Sequence, residues 1–330
     1  MGEKPLLQID DLDKYFPVGG GILSKPRAWV KAVEGVSFSV RRGESFGVVG
    51  ESGCGKTTLG RLIMRLVDPT GGRILFDGRD ITRLDRKAMR SLRHKMQIIF
   101  QDPYSSLDPR MKIDAIVTEP LAARGKLNRQ RRTDIGAQLL ERVGLSTADL
   151  YKYPHEFSGG QRQRIGIARA LSVQPEMIVA DEPVSALDVS IQAQVINLLK
   201  DLKSEYHLSL IFISHDLSVV THLCDRIVVM YFGQLVEMAT RDMFIRRARH
   251  PYTRALLSSV PLPDPHVRSG MAALQGDVPD PMDPPRGCPF HPRCQYVHDL
   301  CREKRPPFLS VAHQHYAACW LNDGRGLEGE

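Results

Sequence analysis

The chain has 330 residues and a net charge of +7, from 45 basic and 38 acidic side chains. Its 42% hydrophobic and 25% charged content is that of a soluble globular protein with ample material for a packed core. No apolar run approaches the roughly 20 residues of a membrane span. The N-terminus MGEKPLLQIDDLDKYF lacks an apolar signal core, so export is not expected.

The first strong element is SFGVV (45–49), a buried strand. Leu59, Leu62, Ile63 and Leu66 then repeat at helical spacing. Between them lies GESGCGKT: Gly50, Glu51, Ser52, Gly53, Cys54, Gly55, Lys56 and Thr57, followed by Thr58. This matches G-x-x-x-x-G-K-[ST] in the required place, after a strand and opening a helix. Backbone N–H groups of such a turn wrap phosphates, and the helix N-terminus adds partial positive charge. Lys56 would reach the β- and γ-phosphates and the Thr57 hydroxyl would ligate Mg²⁺. A merely structural glycine-rich turn does not account for that context.

Residues 85–175 are denser in helical and basic character and read as a helical insertion. Within them, RGKLNRQRR (124–132) lacks aromatic interleaving and reads as a solvated helical face rather than a nucleic-acid patch. FSGGQRQRIGIARAL (157–171) places Ser158, Gly159, Gly160 and Gln161 at the head of an amphipathic helix. That is either an ordinary N-cap or a second anion-binding helix terminus, which a simple P-loop enzyme does not need.

MIVADEP (177–183) ends a buried strand on two carboxylates. Asp181 can hold Mg²⁺ through water, and Glu182 can orient and polarise an attacking water. A helix N-cap would explain one carboxylate but not the pair. Ile191, Val195, Leu198, Leu199 and Leu202 mark a helix, LSLIFIS (208–214) a third strand, and 226–239 a hairpin turning at Gly233. Strands alternating with helices predict an α/β fold with a largely parallel sheet covered on both faces. From Val260 the chain turns Pro-rich, which places a boundary near Pro261, and the tail after Trp320 reads as frayed.

Together these motifs resemble the ATPase subunit of ATP-binding cassette (ABC) transport systems. SGGQ matches that family's signature, in order between the two Walker motifs. Gln101 in QDPYSSLDP matches the Q-loop, SALD (185–188, ending on Asp188) the D-loop, and His215 in ISHD the switch histidine. The resemblance covers about residues 5–260. It implies a RecA-like P-loop ATPase core with an antiparallel β subdomain, a helical subdomain (about 85–175) and head-to-tail pairing. ATP then lies between the Walker A loop of one cassette and SGGQ of the other. Gln101 would sense Mg²⁺ and the γ-phosphate, His215 would contact the γ-phosphate, and Phe16 or Tyr15 would stack on adenine. Intact Lys56, Glu182 and His215 argue against a non-catalytic regulator.

QDPYSSLDPRM (101–111), HPYTRALLSSVP (250–261) and GCPFHPRC (287–294) look like the dipeptide/oligopeptide permease subfamily. That resemblance implies two membrane permease subunits, a second and different ATPase subunit, and an extracytoplasmic peptide-binding protein. The expected place is the cytoplasmic face of the membrane. Nickel, glutathione and sugar importers share the subfamily. A soluble cassette ATPase acting on ribosomes or DNA would carry two cassettes or a long coiled-coil insertion, which this chain lacks.

Four of the six cysteines, Cys288, Cys294, Cys301 and Cys319, fall in the last 43 residues, while Cys54 and Cys224 lie elsewhere. Their C-x₅-C-x₆-C spacing lacks the close pair usual at structural zinc. A reducing compartment disfavours disulfides. Four cysteines on a loop-like segment can surround a [4Fe–4S] cluster, and the permease ATPases that this tail resembles include members with one. A cluster, a zinc ion and free thiols are the three readings, with the cluster expected and His291 and His298 as bystanders.

Overall fold

The computed structural model describes residues 4–19, 27–102, 104–125, 128–259, 279–280 and 282–322. In chain order the N-terminal elements are β1 (Leu7–Val18), β2 (Ala28–Val40), β3 (Ser45–Val49), α1 (Lys56–Ile63), β4 (Gly71–Phe76), β5 (Arg79–Asp80), α2 (Arg86–Leu92) and β6 (Met96–Ile99). There follow α3 (Ile113–Ala122), α4 (Arg129–Arg142), α5 (Gly159–Leu171), β7 (Met177–Asp181), α6 (Val189–Tyr206) and β8 (Ser209–Ser214). The remainder is α7 (Leu217–Leu223), β9 (Arg226–Tyr231), β10 (Gln234–Thr240), α8 (Arg241–Arg247), α9 (Pro251–Ser258), α10 (Asp299–Glu303), β11 (Leu309–Ala312) and β12 (His315–Ala317). Two compact units emerge. The first is built mainly from 83–214, the second from 7–39, 46–82 and the chain from His215 onward.

In the first unit β6, β7 and β8 form parallel pairs. Every residue of β7 and β8 is buried, and apart from the polar residues at their ends both read as apolar runs rather than alternating ones. α6 buries Val195, Ile196, Leu199 and Leu202, one stripe at helical spacing. The expected helical insertion is interrupted by β6. Its four residues, MQII, are too short a run to announce a strand, and only their two ends are buried. α3, α4 and α5 pack on one another, and Arg132 of α4 pairs with Asp114 of α3 at 2.9 Å.

The second unit has two sheets. One has the order β2-β1-β4-β5, with antiparallel β1–β4 and β4–β5 pairs. In the other, β3 runs parallel to β9, and β10, β12 and β11 follow antiparallel. The unit is thus more antiparallel than the alternation of strands and helices suggested. The hairpin turns at Phe232–Gly233 with φ of 49° and 74°, the two-residue geometry that continues strand twist.

The boundary near Pro261 lies outside the described residues. The described part of the tail belongs to the second unit: β12 pairs with β10, and β11 with β12. A buried hydrogen-bonded pair pins it there. Glu237 of β10 meets His315 of β12 at 2.7 Å, both side chains fully shielded from solvent. The backbone N–H groups of Arg249 and His250 also donate to the Glu237 carboxylate, at 2.7 and 2.8 Å. Burial opposes charge on Glu237, but His315 and these two N–H groups outweigh it and hold its pKa below the usual carboxylate value. Removing a buried, hydrogen-bonded acceptor leaves its donors unsatisfied, at a cost of about 1–3 kcal/mol for each donor left without a partner. Glu237→Gln is therefore expected to lower the denaturant midpoint of the full chain markedly at pH 7. Superimposable wild-type and variant curves would show that the pair does not anchor the tail.

Candidate functional site

The sequence motifs distribute over both units. In the second, fully buried β3 feeds the loop Gly50–Thr57, and α1 begins at Lys56. The loop's path demands glycine. Gly55 has φ of 106°, and a Cβ there would lie 2.1 Å from the carbonyl oxygen of Ala32. A Cβ on Gly50 would lie 2.3 Å from the oxygen of Met230 on β9. Lys56 is 4% exposed, and its ammonium donates to the carbonyls of Gly50 (2.8 Å) and Glu51 (2.9 Å). Ser52 and Gly53 are exposed, while Thr57 and Thr58 are half-buried on the first turn of α1. Cys54 is buried with its thiol pKa pushed up by burial, so it is an inert small residue in the loop.

Tyr15 and Phe16 lie on β1 of the same unit. Phe16 is 38% exposed with the Lys14 ammonium 4.9 Å from its ring centre, and Lys31 lies over Tyr15. Burial and then Asp13 push the Tyr15 phenol up to about 12. His215, exposed, immediately follows β8 and begins this unit's C-terminal stretch.

In the first unit β7 ends at Asp181, which is 4% exposed. Glu182 turns out of the strand at φ 46°, a left-handed conformation uncommon for this residue type, secured by its N–H to the Ile213 carbonyl at 2.9 Å. Gln101 donates to the Glu182 carboxylate at 3.0 Å. Two residues singled out 81 positions apart are thus brought together. The Ser185 hydroxyl donates to the Glu182 backbone carbonyl, tying the start of SALD to the Glu182 main chain, and Asp188 at its end is the exposed N-cap residue of α6.

Ser158, Gly159, Gly160 and Gln161 form the head of α5. The Ser158 hydroxyl accepts from the Gln161 N–H at 3.4 Å, and the Gln161 amide oxygen accepts from the Ser158 N–H at 3.0 Å. The ordinary capping role is therefore present. Gly160 also packs against α6, where a Cβ would lie 2.5 Å from Ile191 Cγ2.

Sequence reasoning missed what surrounds the loop in the second unit. Tyr252 of α9 accepts from the Glu51 N–H at 2.9 Å. Arg293 donates two hydrogen bonds to the Glu51 carboxylate, at 2.8 and 3.0 Å. Tyr231, Tyr252 and Phe290 interlock with ring centres 4.7–5.4 Å apart, and His250 packs on Phe290. The run HPYTRALL carried aromatic and basic character, but nothing local pointed it at a loop 201 residues earlier.

The expected cysteine-bound cluster finds no geometric support. Among the described residues no group of three or more His, Cys, Asp or Glu is placed to hold a metal ion. All six cysteines are free. Burial, reinforced by the neighbouring thiols, pushes Cys288 up to about 11 and Cys319 up to about 12, and burial raises Cys294 too. The Cys288 N–H donates to the Cys301 carbonyl at 2.8 Å, so these two loops are held side by side by backbone.

With this geometry in hand, the chain can be compared with known proteins. Residues 33–185 match the ABC transporter family model, and 236–301 match that of the oligopeptide/dipeptide transporter C-terminal region. The oligopeptide transport ATP-binding protein AppF of Bacillus subtilis is 49% identical over 322 residues, 97% of this chain and 98% of AppF. The dipeptide transport ATP-binding protein DppF of Escherichia coli is 47% identical over 97% of this chain and 96% of its own length. Among solved structures, the dimeric ATP-binding cassette MJ0796 bound to ADP and Pi aligns with a TM-score of 0.65 at 27% identity, over 71% of this chain and 98% of that one.

His250, which lies under the loop's aromatic support, yields a pH prediction. Burial lowers its pKa to about 4. The Glu237 carboxylate opposes that shift and Arg254 adds to it. Its Nδ1 accepts from the Tyr252 N–H at 3.1 Å, which requires the neutral ring. The folded pKa lies below the unfolded value of about 6.5. The neutral ring's contribution is thus full above about 6.5 and is lost as pH falls toward 4, on the order of 3 kcal/mol in all. His250→Asn, which keeps a capping acceptor, should flatten the fall in unfolding midpoint between pH 7 and 4.5. Parallel wild-type and variant profiles would assign that fall to other groups.

Proposed function

We propose residue roles from the premise that the chain belongs to the ABC transporter ATP-binding proteins of the oligopeptide and dipeptide class. It is an ATPase subunit whose hydrolysis energises peptide import. The observation that carries the site reading is Gln101 hydrogen-bonded to Glu182 at the end of buried β7, with Asp181 beside it.

In this reading the amides of Gly50–Gly55, with Lys56, Thr57 and Thr58, hold the triphosphate. Thr57, Asp181 and Gln101 offer only hard oxygen donors, which suits Mg²⁺. Bound there, the ion would supply charge neutralisation for the triphosphate. Glu182 takes a proton from the attacking water as its oxygen bonds to the γ-phosphorus. The bond to the bridging oxygen breaks and ADP leaves. His215 contacts the γ-phosphate, and Tyr15 or Phe16 stacks on adenine. Ser158–Gln161 and Asp188 serve the ATP held by a partnering ATPase subunit. The capping box on α5 is compatible with this, since an N-cap leaves further N–H groups at the helix head for an anion.

The assembly we infer has two membrane permease subunits, a second homologous ATPase and an extracytoplasmic peptide-binding protein, with this chain peripheral on the cytoplasmic face. No described helix is long and apolar enough to cross a membrane. Residues 1–260 form the cassette, with its helical subdomain near 85–175, and 261–330 an extension. The names of AppF and DppF support peptides as the solute.

A [4Fe–4S] cluster on Cys288, Cys294, Cys301 and Cys319 is the finer part of the proposal. Its support is the donor set: four cysteines lie within the last 43 residues, and a backbone hydrogen bond holds Cys288 beside Cys301. One iron per thiolate does not require three donors to converge on a single ion, and binding would draw off the thiol protons.

Two measurements test these roles. Lys56→Ala should abolish ATP binding by the purified chain. Glu182→Gln should bind ATP but slow turnover by about 100-fold or more and accumulate ATP-bound dimers. Normal binding by the first, or normal turnover by the second in the assembled transporter, would overturn the assignments. Anaerobically purified chain should carry about four irons and four acid-labile sulfides; stoichiometric zinc without sulfide, or no metal at all, would remove the cluster.

A further inference from the structure

We propose that Arg293 of the Cys-rich tail is a positioning residue of the nucleotide loop: it holds Glu51 in place and neutralises its charge, so that the loop accepts a triphosphate. The inference rests on reading Gly50–Thr57 as the phosphate loop.

Glu51 is gripped through all of its polar groups. Its N–H donates to Tyr252 Oη on α9 at 2.9 Å. Its carbonyl accepts from Lys56 Nζ on α1 at 2.9 Å. Its carboxylate receives both arms of the Arg293 guanidinium, at 2.8 and 3.0 Å. Paired parallel hydrogen bonds of this kind set orientation as well as distance. The Arg293 side chain is only 5% exposed and the Glu51 side chain 24%, so solvent screens the pair weakly. The Arg293 Nε is buried without a hydrogen-bond partner, so the cation depends on its two outer nitrogens. Phe290 and Arg293 lie between Cys288 and Cys294, and Phe290 packs on both Tyr231 and Tyr252. The same tail segment therefore supports the loop's aromatic wall and supplies its countercharge.

The reason such a residue is needed is electrostatic. A loop built to gather several negative phosphate charges carries a carboxylate at its second position. Left unpaired, that carboxylate would repel the ligand across a short, partly desolvated distance. A buried guanidinium removes the repulsion without reaching the phosphates itself. Arg is the suitable cation because its fork matches the carboxylate, whereas Lys is a point charge.

The test is equilibrium binding of Mg·ATP to the full-length chain for wild type, Arg293→Met, Arg293→Lys, the Glu51→Gln/Arg293→Met double variant, and Lys56→Ala. Arg293→Met should weaken ATP binding by about tenfold, the size of one partly screened charge interaction. Arg293→Lys should fall between it and wild type. The double variant, which lacks both charges, should return to within about threefold of wild type. In the assembled transporter, Arg293→Met should raise KM for ATP while kcat stays within about twofold. Wild-type affinity in Arg293→Met, or a loss that Glu51→Gln does not relieve, would overturn the proposal; the second result would mark Arg293 as a packing residue only. If Arg293→Met does not fold, Arg293→Lys and the double variant carry the comparison, and a double variant no better than Arg293→Lys would overturn it. Lys56→Ala separates the two inferences. If it binds ATP normally, the phosphate-loop reading fails; if it does not bind while Arg293→Met binds as wild type, only the role of Arg293 fails.

Discussion

The turn between β3 and α1 imposes the constraint from which most of the second unit follows. A chain leaving a fully buried strand must reverse into a helix while keeping several N–H groups turned outward. Glycine at Gly50 and Gly55 allows backbone from β2 and β9 to approach within distances that no side chain tolerates. That closeness leaves the loop little internal means of support. The loop's own Lys56 ammonium bonds across its carbonyls, and from outside it is braced by Tyr252 of α9 and Arg293 of the tail. The aromatic cluster of Tyr231, Tyr252 and Phe290 holds those braces in place.

What was legible in the sequence is what local physics dictates. β3, β7 and β8 are wholly buried with apolar centres, polar residues falling only at their ends, so their extents could be read to within a residue. The hairpin announced itself through Gly233, and the structure adds Phe232 as the second turn residue. The phosphate loop and the carboxylate pair were visible because their chemistry demands particular residue types at short spacing. β6 was not visible, since four residues with two half-buried positions carry no clear period. Gln101 was picked out by family resemblance and Glu182 by its place after a buried strand; only the structure joins them, through a hydrogen bond.

The hidden remainder consists of contacts between distant residues. Arg293 and Glu51 are 242 positions apart, and Glu237 and His315 are 78. Each of these side chains, taken alone in the sequence, reads as an ordinary surface charge, because charged groups are seldom fully buried unless paired. The cysteines show the reverse case. Their clustering was conspicuous, yet among the described residues no three donors converge on one metal position, and burial raises the pKa of Cys288, Cys294 and Cys319. Residue type signalled a possible chemistry there without fixing the protonation state on which it depends.

The pairing of β12 with β10 bears on how the cassette avoids self-association. β10 is a long, largely buried strand, and without β12 it would present unpaired backbone groups to any passing strand. The tail closes that edge. The outermost strand it leaves, β11, has four residues and follows Lys304, Arg305, Pro306 and Pro307, a charged and proline-rich approach that discourages further strand addition. A cassette trimmed to the length of a single-domain ATPase would therefore lose a protective hem as well as an appendage. It would tend to precipitate through its exposed sheet edge, even with every nucleotide-binding motif intact.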